Sequence, residues 1–182
     1  MRKQKIYLAS PFFNSEQLAR IEQIEKLIVK EGWVLFSPRL ADSASKMNKM
    51  IREGDIVPDE LRRAVFRDNV DNIDNSDMMI AVIDERDTGV MFEMGYAFRS
   101  HVPIVTFTSH DYGVNLMLSH SVVGHAKSLE ELAAVLRLGY GAISKSASTE
   151  EYGTAIAKIQ FMYKSQQALL EGPNEHKAQK RS

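Results

Sequence analysis

The stretch MMIAVIDERDTGVMFEMGYA, residues 78–97, decides how this chain folds. Its opening run, residues 78–83, is short and continuously apolar. That suits a central parallel strand covered by helices on both faces, not a half-exposed strand with alternating character. Asp84 leaves the strand, Asp87, Thr88 and Gly89 turn the chain, and residues 90–100 are expected to form a helix with Glu93 near its first turn. A strand, turn and helix in this order carry Glu93 to the mouth of the sheet, where open α/β folds bind their ligands.

The pattern repeats in both directions. Residues 5–9, KIYLA, are β-prone, and Asn14 or Ser15 can cap a helix with Leu18, Ile21, Ile24, Leu27 and Ile28 on one face, ended by Gly32. Residues 33–36 form a second strand. The polar residues 39–58 show no clear period and read as a long functional or mobile loop. Asp59 then looks like the cap of a helix with Leu61, Val65, Phe66, Val70 and Ile73 on one face. Downstream, residues 103–108 make another buried strand, residues 122–126 an edge strand, and residues 129–138 a helix. Strict alternation predicts a doubly wound, flavodoxin-like parallel α/β sheet of about five strands with flanking helices and right-handed crossovers. Residues 1–138 read as that domain. Residues 139–182 read as a linker of small residues, an amphipathic C-terminal helix over 150–170 and a polar tail.

Composition narrows the function classes. With 44% hydrophobic and 26% charged residues the chain is of ordinary globular type, and 182 residues suffice for one domain with an appendage. Twenty-three basic against 24 acidic residues give a net charge of −1, so no overall field draws it to nucleic acid or an anionic membrane. The absence of cysteine excludes a disulfide scaffold and a thiol nucleophile, and fits a cytoplasmic protein. The apolar run of residues 6–9 is too short for the core of a signal peptide, and no stretch approaches a membrane span. His101, His110, His120, His125 and His176 lack metal-ligand spacing, so no metal is expected.

The candidate chemistry centres on Glu93. A helix start favours an ionised carboxylate through its free N–H groups and macrodipole, which would keep Glu93 anionic and nucleophilic. Gly89 and Gly95 would allow close backbone approach. On the local pattern alone, an ordinary first-turn glutamate with Asp87 as a turn former fits as well.

The motif D-x-G-x-x-x-E-x-G-Y-A, spelled by Asp87, Gly89, Glu93, Gly95, Tyr96 and Ala97, resembles the signature of the nucleoside 2-deoxyribosyltransferase family. KIYLASPFF, FRDNVDNIDNSDMMIAVID and DYGVNLM resemble that family's segments in the same order, over roughly residues 5–125. The resemblance implies that Glu93 is the nucleophile, that Tyr7 hydrogen-bonds it, and that Asp87 meets the sugar hydroxyls. It further implies that Phe13 lines the base pocket, with Pro38 and Arg39 in the base-recognition loop. Asn115 would hold the sugar 5′-hydroxyl from the adjacent subunit, with Met117 beside it, so that a homo-oligomer shares its sites. The implied substrates are a 2′-deoxynucleoside and a free nucleobase, with no cofactor. The agreement lapses at one place. Lactobacillal members carry a base-contacting aspartate eight residues before the position of Asp77, whereas Asn69 stands there, with Asp68 just before it. An amide orients a base but is a poor general acid, and Asp68 points about 100° away on a continuous helix.

Two rival readings stay open. An N-glycoside hydrolase of (deoxy)nucleoside 5′-monophosphates would need phosphate donors near the first loop. That loop, Ser10-Pro11-Phe12-Phe13, lacks a glycine and arginine cluster, and Pro11 removes a backbone donor. A non-catalytic nucleotide-sensing domain would not need Asp87, Glu93 and Tyr7 together.

Overall fold

A computed structural model describes residues 2–110 and 115–147, without the side chains of 140–147. Its five strands are β1 (Lys5–Ala9), β2 (Val34–Phe36), β3 (Met78–Val82), β4 (Ile104–Phe107) and β5 (Gly124–Ala126). They form one parallel sheet in the order β2-β1-β3-β4-β5. The order reverses direction at β1, so the topological switch point lies between β1 and β3. The helices are α1 (Ser15–Lys30), α2 (Asp42–Glu53), α3 (Asp59–Asp74), α4 (Thr88–Arg99), α5 (Leu116–His120) and α6 (Leu129–Ala147).

The sheet's alternation splits the core in two. Ile6, Leu8, Met78, Ile80 and Val82 face the side of α1 and α6, where Ile21, Ile24, Ile28, Leu132 and Leu136 meet them. Tyr7, Ala9, Met79 and Ala81 face the other side with Ile73 of α3 and Val90, Met94 and Ala97 of α4. All five residues of β3 are buried, as its unbroken apolar run requires of a strand covered on both faces. Asn14 caps α1, its Oδ1 accepting the Gln17 N–H at 2.9 Å.

Several expectations need correction. The presumed loop over residues 39–58 holds a 3-10 turn, Pro38–Leu40, and all of α2. Only Ala44 of α2 is buried, so a helix that rests on propensity and surface contacts leaves no apolar period to read. Gly54 ends it in the left-handed conformation, φ 78. Asp59 is the first residue of α3, and Pro58 holds the cap position. Phe66, on the expected apolar face, is 55% exposed, its ring tilted at 45° against that of Phe92, also exposed. The apolar stripe of α3 is thus covered mainly at its Ile73 end. A short helix that the sequence reading did not include, α5, carries Leu116 and Met117. The helix expected to stop at residue 138 breaks at Gly139 (φ 74, ψ 164) but resumes to Ala147, into the presumed linker. The expected helix over 150–170 and the polar tail lie outside the described residues. No helix among the described residues is long and apolar enough to cross a membrane.

Candidate active site

Tyr7 and Glu93 are 86 positions apart in sequence, and the switch point brings them together. Tyr7, in the middle of β1, is wholly buried on the α4 side of the sheet. Its ring stacks on Phe36 of β2, centroids 5.4 Å apart, because parallel register sets the two residues side by side. So held, the Tyr7 hydroxyl donates to Glu93 Oε1 at 2.7 Å. From α3, the Asn69 side-chain N–H donates to the same oxygen at 3.5 Å, while Asn69 Oδ1 is buried with no hydrogen-bond partner.

Glu93 is the sixth residue of α4, because that helix begins at Thr88, two residues earlier than expected. It therefore sits in the second turn, away from the free N–H groups that were expected to keep it anionic. Burial raises its pKa to about 7; the Tyr7 hydrogen bond lowers it in part, and the charge of Asp87 adds to the rise. The Tyr7 hydroxyl is pushed well above its ordinary value by burial and by the charge and hydrogen bond of Glu93, so it remains a donor.

Asp87 caps α4, its Oδ1 accepting the Val90 N–H at 2.9 Å. A Cβ on Gly89 would lie 3.0 Å from that oxygen, which accounts for glycine there, whereas a Cβ on Gly95 would meet nothing within 4 Å. The turn leading to Asp87 passes through Arg86 at φ 52, a conformation uncommon outside glycine.

The remaining candidates divide. Asp68 precedes Asn69 on α3, and its carbonyl accepts from Asn72 at 2.7 Å. Phe13 is 74% exposed beyond the end of β1 and stacks on Phe12. Pro38 is buried after β2, and the Arg39 guanidinium is held by Glu25 of α1 in two hydrogen bonds of 2.9 and 2.5 Å. Asn115 caps α5 by accepting the Met117 N–H at 2.8 Å, and both residues are exposed. No hydrogen bond among the described residues links them to Glu93 of their own chain. Among these residues no group of three or more His, Asp or Glu side chains is placed to hold a metal ion.

Two participants escaped the sequence reading. Phe36 carries no motif, and only strand register pairs it with Tyr7. Asp84, read merely as the end of β3, is buried and accepts from the Thr108 hydroxyl, the Ser109 N–H and hydroxyl (2.8 and 2.9 Å), and Arg20 of α1 (2.7 Å). Arg20 also pairs with Glu85. A charged residue closing an apolar strand was the available signal.

Residues 6–136 match the model of the nucleoside 2-deoxyribosyltransferase family. The chain belongs to that family. It is 32% identical, over 127 residues, to a nucleoside deoxyribosyltransferase of Limosilactobacillus fermentum, covering 65% of this chain and 76% of that one. The 2-deoxyribosyltransferase of Bacillus psychrosaccharolyticus superposes with a TM-score of 0.61 at 29% identity, covering 72% of this chain and 95% of the other. A conserved protein of Enterococcus faecalis shares the fold with a TM-score of 0.57 at 18% identity, covering 75% and 99%. This deoxyribosyltransferase relative thus has a family of glycosyl-transferring enzymes behind it, and the Tyr7–Glu93 pair lies within the matched residues.

Proposed function

We propose that the protein is a nucleoside 2-deoxyribosyltransferase that exchanges the base of a 2′-deoxynucleoside through a deoxyribosyl ester on Glu93. The observation that carries this reading is the 2.7 Å hydrogen bond from Tyr7 to Glu93 at the switch point of the sheet. In the first step a Glu93 carboxylate oxygen attacks C1′, the C1′–N bond breaks through an oxocarbenium-like transition state, and the base leaves with the electron pair and takes up a proton from water. In the second, a ring nitrogen of another base attacks C1′ and gives up its proton to water, the ester bond breaks, and the Glu93 carboxylate is restored. Two inversions retain configuration. Asp87 beside Glu93 fits a contact to the sugar hydroxyls, and Phe13 fits a stacking platform for the base. Tyr7 serves the nucleophile and not the leaving base, since it is wholly buried and its proton is held tightly.

Chromatography of thymidine incubated with adenine tests the reading: it should yield 2′-deoxyadenosine and thymine. Thymine and free deoxyribose alone would mean hydrolysis, and no product would mean a sensing domain. Thymidine should also outrun its 5′-monophosphate, because residues 10–14 offer no glycine and arginine cluster for a phosphate.

The site is proposed to be completed by a second subunit. Asn115 and Met117 do not join the Glu93 group of their own chain, and Leu116 and Met117, 67% and 77% exposed, would be buried by a partner. Inactive Glu93→Ala and Asn115→Ala subunits, mixed under conditions that allow exchange, should recover activity above either parent. A monomer by light scattering, or no recovery despite proven exchange, would refute a shared site.

A further inference from the structure

We infer that Asn69 is a positioning residue for the nucleophile: its amide and the Tyr7 hydroxyl together occupy Oε1 of Glu93 and leave Oε2 as the oxygen that attacks C1′. This rests on Glu93 being the nucleophile. Both donors converge on one carboxylate oxygen, at 2.7 Å from β1 and 3.5 Å from α3. The ion pairs among the described residues do not include Glu93, so neutral donors are what its charge meets here. The orientation of the amide follows from chemistry: turned over, Asn69 would set its carbonyl oxygen against the carboxylate and repel it. In the favoured orientation Oδ1 faces protein and finds no donor.

That orphaned oxygen separates a functional amide from a structural one. An asparagine kept for the fold has both ends satisfied, because a buried unpaired carbonyl oxygen is destabilising. Asn69 spends its one side-chain hydrogen bond on Glu93 and leaves its other end unpaired. The bond is also long, as catalytic hydrogen bonds often are before a ligand closes the site. The titratable groups that face Glu93 are Tyr7 from β1 and Asp87 at the start of α4, while α3 contributes this neutral amide. An aspartate at position 69 would instead set a second carboxylate against the nucleophile and compete with it for a proton.

The test compares Asn69→Leu and Asn69→Asp with the wild type in the pH profile of kcat/KM for thymidine with adenine as acceptor, with urea unfolding alongside. Asn69→Leu removes the donor to the charged form, so the acid limb should move up by about half a unit or more and the plateau fall by roughly tenfold. The urea midpoint should not drop. Asn69→Asp, nearly isosteric and so a safeguard against misfolding, should move the limb further up. An unmoved limb in both variants overturns the inference: a raised KM alone would make Asn69 a base contact, and a lowered urea midpoint alone a structural residue. Failure of the underlying reading looks different, since the wild type would then form no 2′-deoxyadenosine or Glu93→Ala would retain turnover.

Discussion

Asp84, buried, and Glu93, partly buried, are two acids on either side of the same turn, and the fold treats them in opposite ways. Burial acts against the charge of both. At Asp84 it is outweighed by the Thr108 and Ser109 hydroxyls, the Ser109 N–H and the Arg20 guanidinium, and the pKa falls below the usual carboxylate value. At Glu93 the Tyr7 hydroxyl offsets burial only in part, and the pKa rises to about 7. The number and charge of the donors decide the outcome. Asp84 is tied down on every side and joins the ends of β3 and β4 to α1. Glu93 keeps a carboxylate that is poorly satisfied and therefore reactive, the division of labour by which one fold gives neighbouring acids different tasks.

The sharpest way to break this comparison is to remove each acid in turn. Glu93→Ala should lose turnover by about 10⁴-fold or more, because no other group can form the ester, while keeping its fold. Circular dichroism together with base exchange from thymidine checks both halves. A folded variant with most of its turnover would return Glu93 to the status of an ordinary helix residue.

The next largest effect is on the pH profile. Attack requires the ionised form of Glu93, whose pKa is about 7 in the free protein. Thymidine does not ionise between pH 5 and 8, so kcat/KM should fall about tenfold per unit below pH 7, reaching roughly a hundredth of its pH 8 value at pH 5. A profile flat across that range would show that Glu93 is ionised throughout and that donors, not burial, dominate there as they do at Asp84.

Asp84→Asn sharpens the other side. It leaves the largely buried Arg20 without its main counter-charge and should cost about 2–4 kcal/mol in urea unfolding. Because the folded pKa of Asp84 lies below its ordinary value, its contribution is present above that ordinary value and lost as the pH falls through the folded one. The gap between variant and wild type should therefore narrow in acid. An equal gap at low and neutral pH would mean that shape, not charge, holds this corner.

How legible these two acids were in the sequence follows from the kind of contact each makes. The sheet was readable from residues 78–83 because a covered strand must be apolar throughout, and α1 from its capping Asn14 and inward Ile21, Ile24 and Ile28. Helix α2 was not, since it buries one residue and has no period. Phe66 lies on the stripe that helical spacing marks yet is exposed, because such spacing does not say whether anything covers the stripe. The Tyr7–Glu93 pair came from resemblance to a family. No local pattern links positions 7 and 93; only the pairing of β1 with β3, which leads into α4, brings Tyr7 and Glu93 together. Glu93 was expected to be anionic from its place in a helix, whereas burial raises its pKa to about 7 and leaves it only partly ionised at neutral pH. The Asp84 network joins residues of α1, β3 and the end of β4, which no sequence window contains.

The smallest effect tests whether reactivity at Glu93 is held at the expense of stability. A carboxyl whose folded pKa is raised keeps its proton in the native state after the unfolded chain has lost it. Between the ordinary value of 4.5 and about 7, the native state binds more protons, so stability declines as the pH rises through that window. Above pH 7 the penalty is complete. Glu93→Gln removes the charge while leaving an oxygen that can accept from Tyr7. It should therefore be more stable than the wild type at pH 8 by about 2 kcal/mol, or roughly 5 °C in Tm, and nearly equal to it at pH 5. Asp84→Asn should show the opposite sign at pH 8. Thermal unfolding of both variants at the two pH values distinguishes the cases. If Glu93→Gln proved less stable than the wild type at pH 8, Glu93 would be a satisfied, structural carboxylate like Asp84, and the contrast between the two acids would fail.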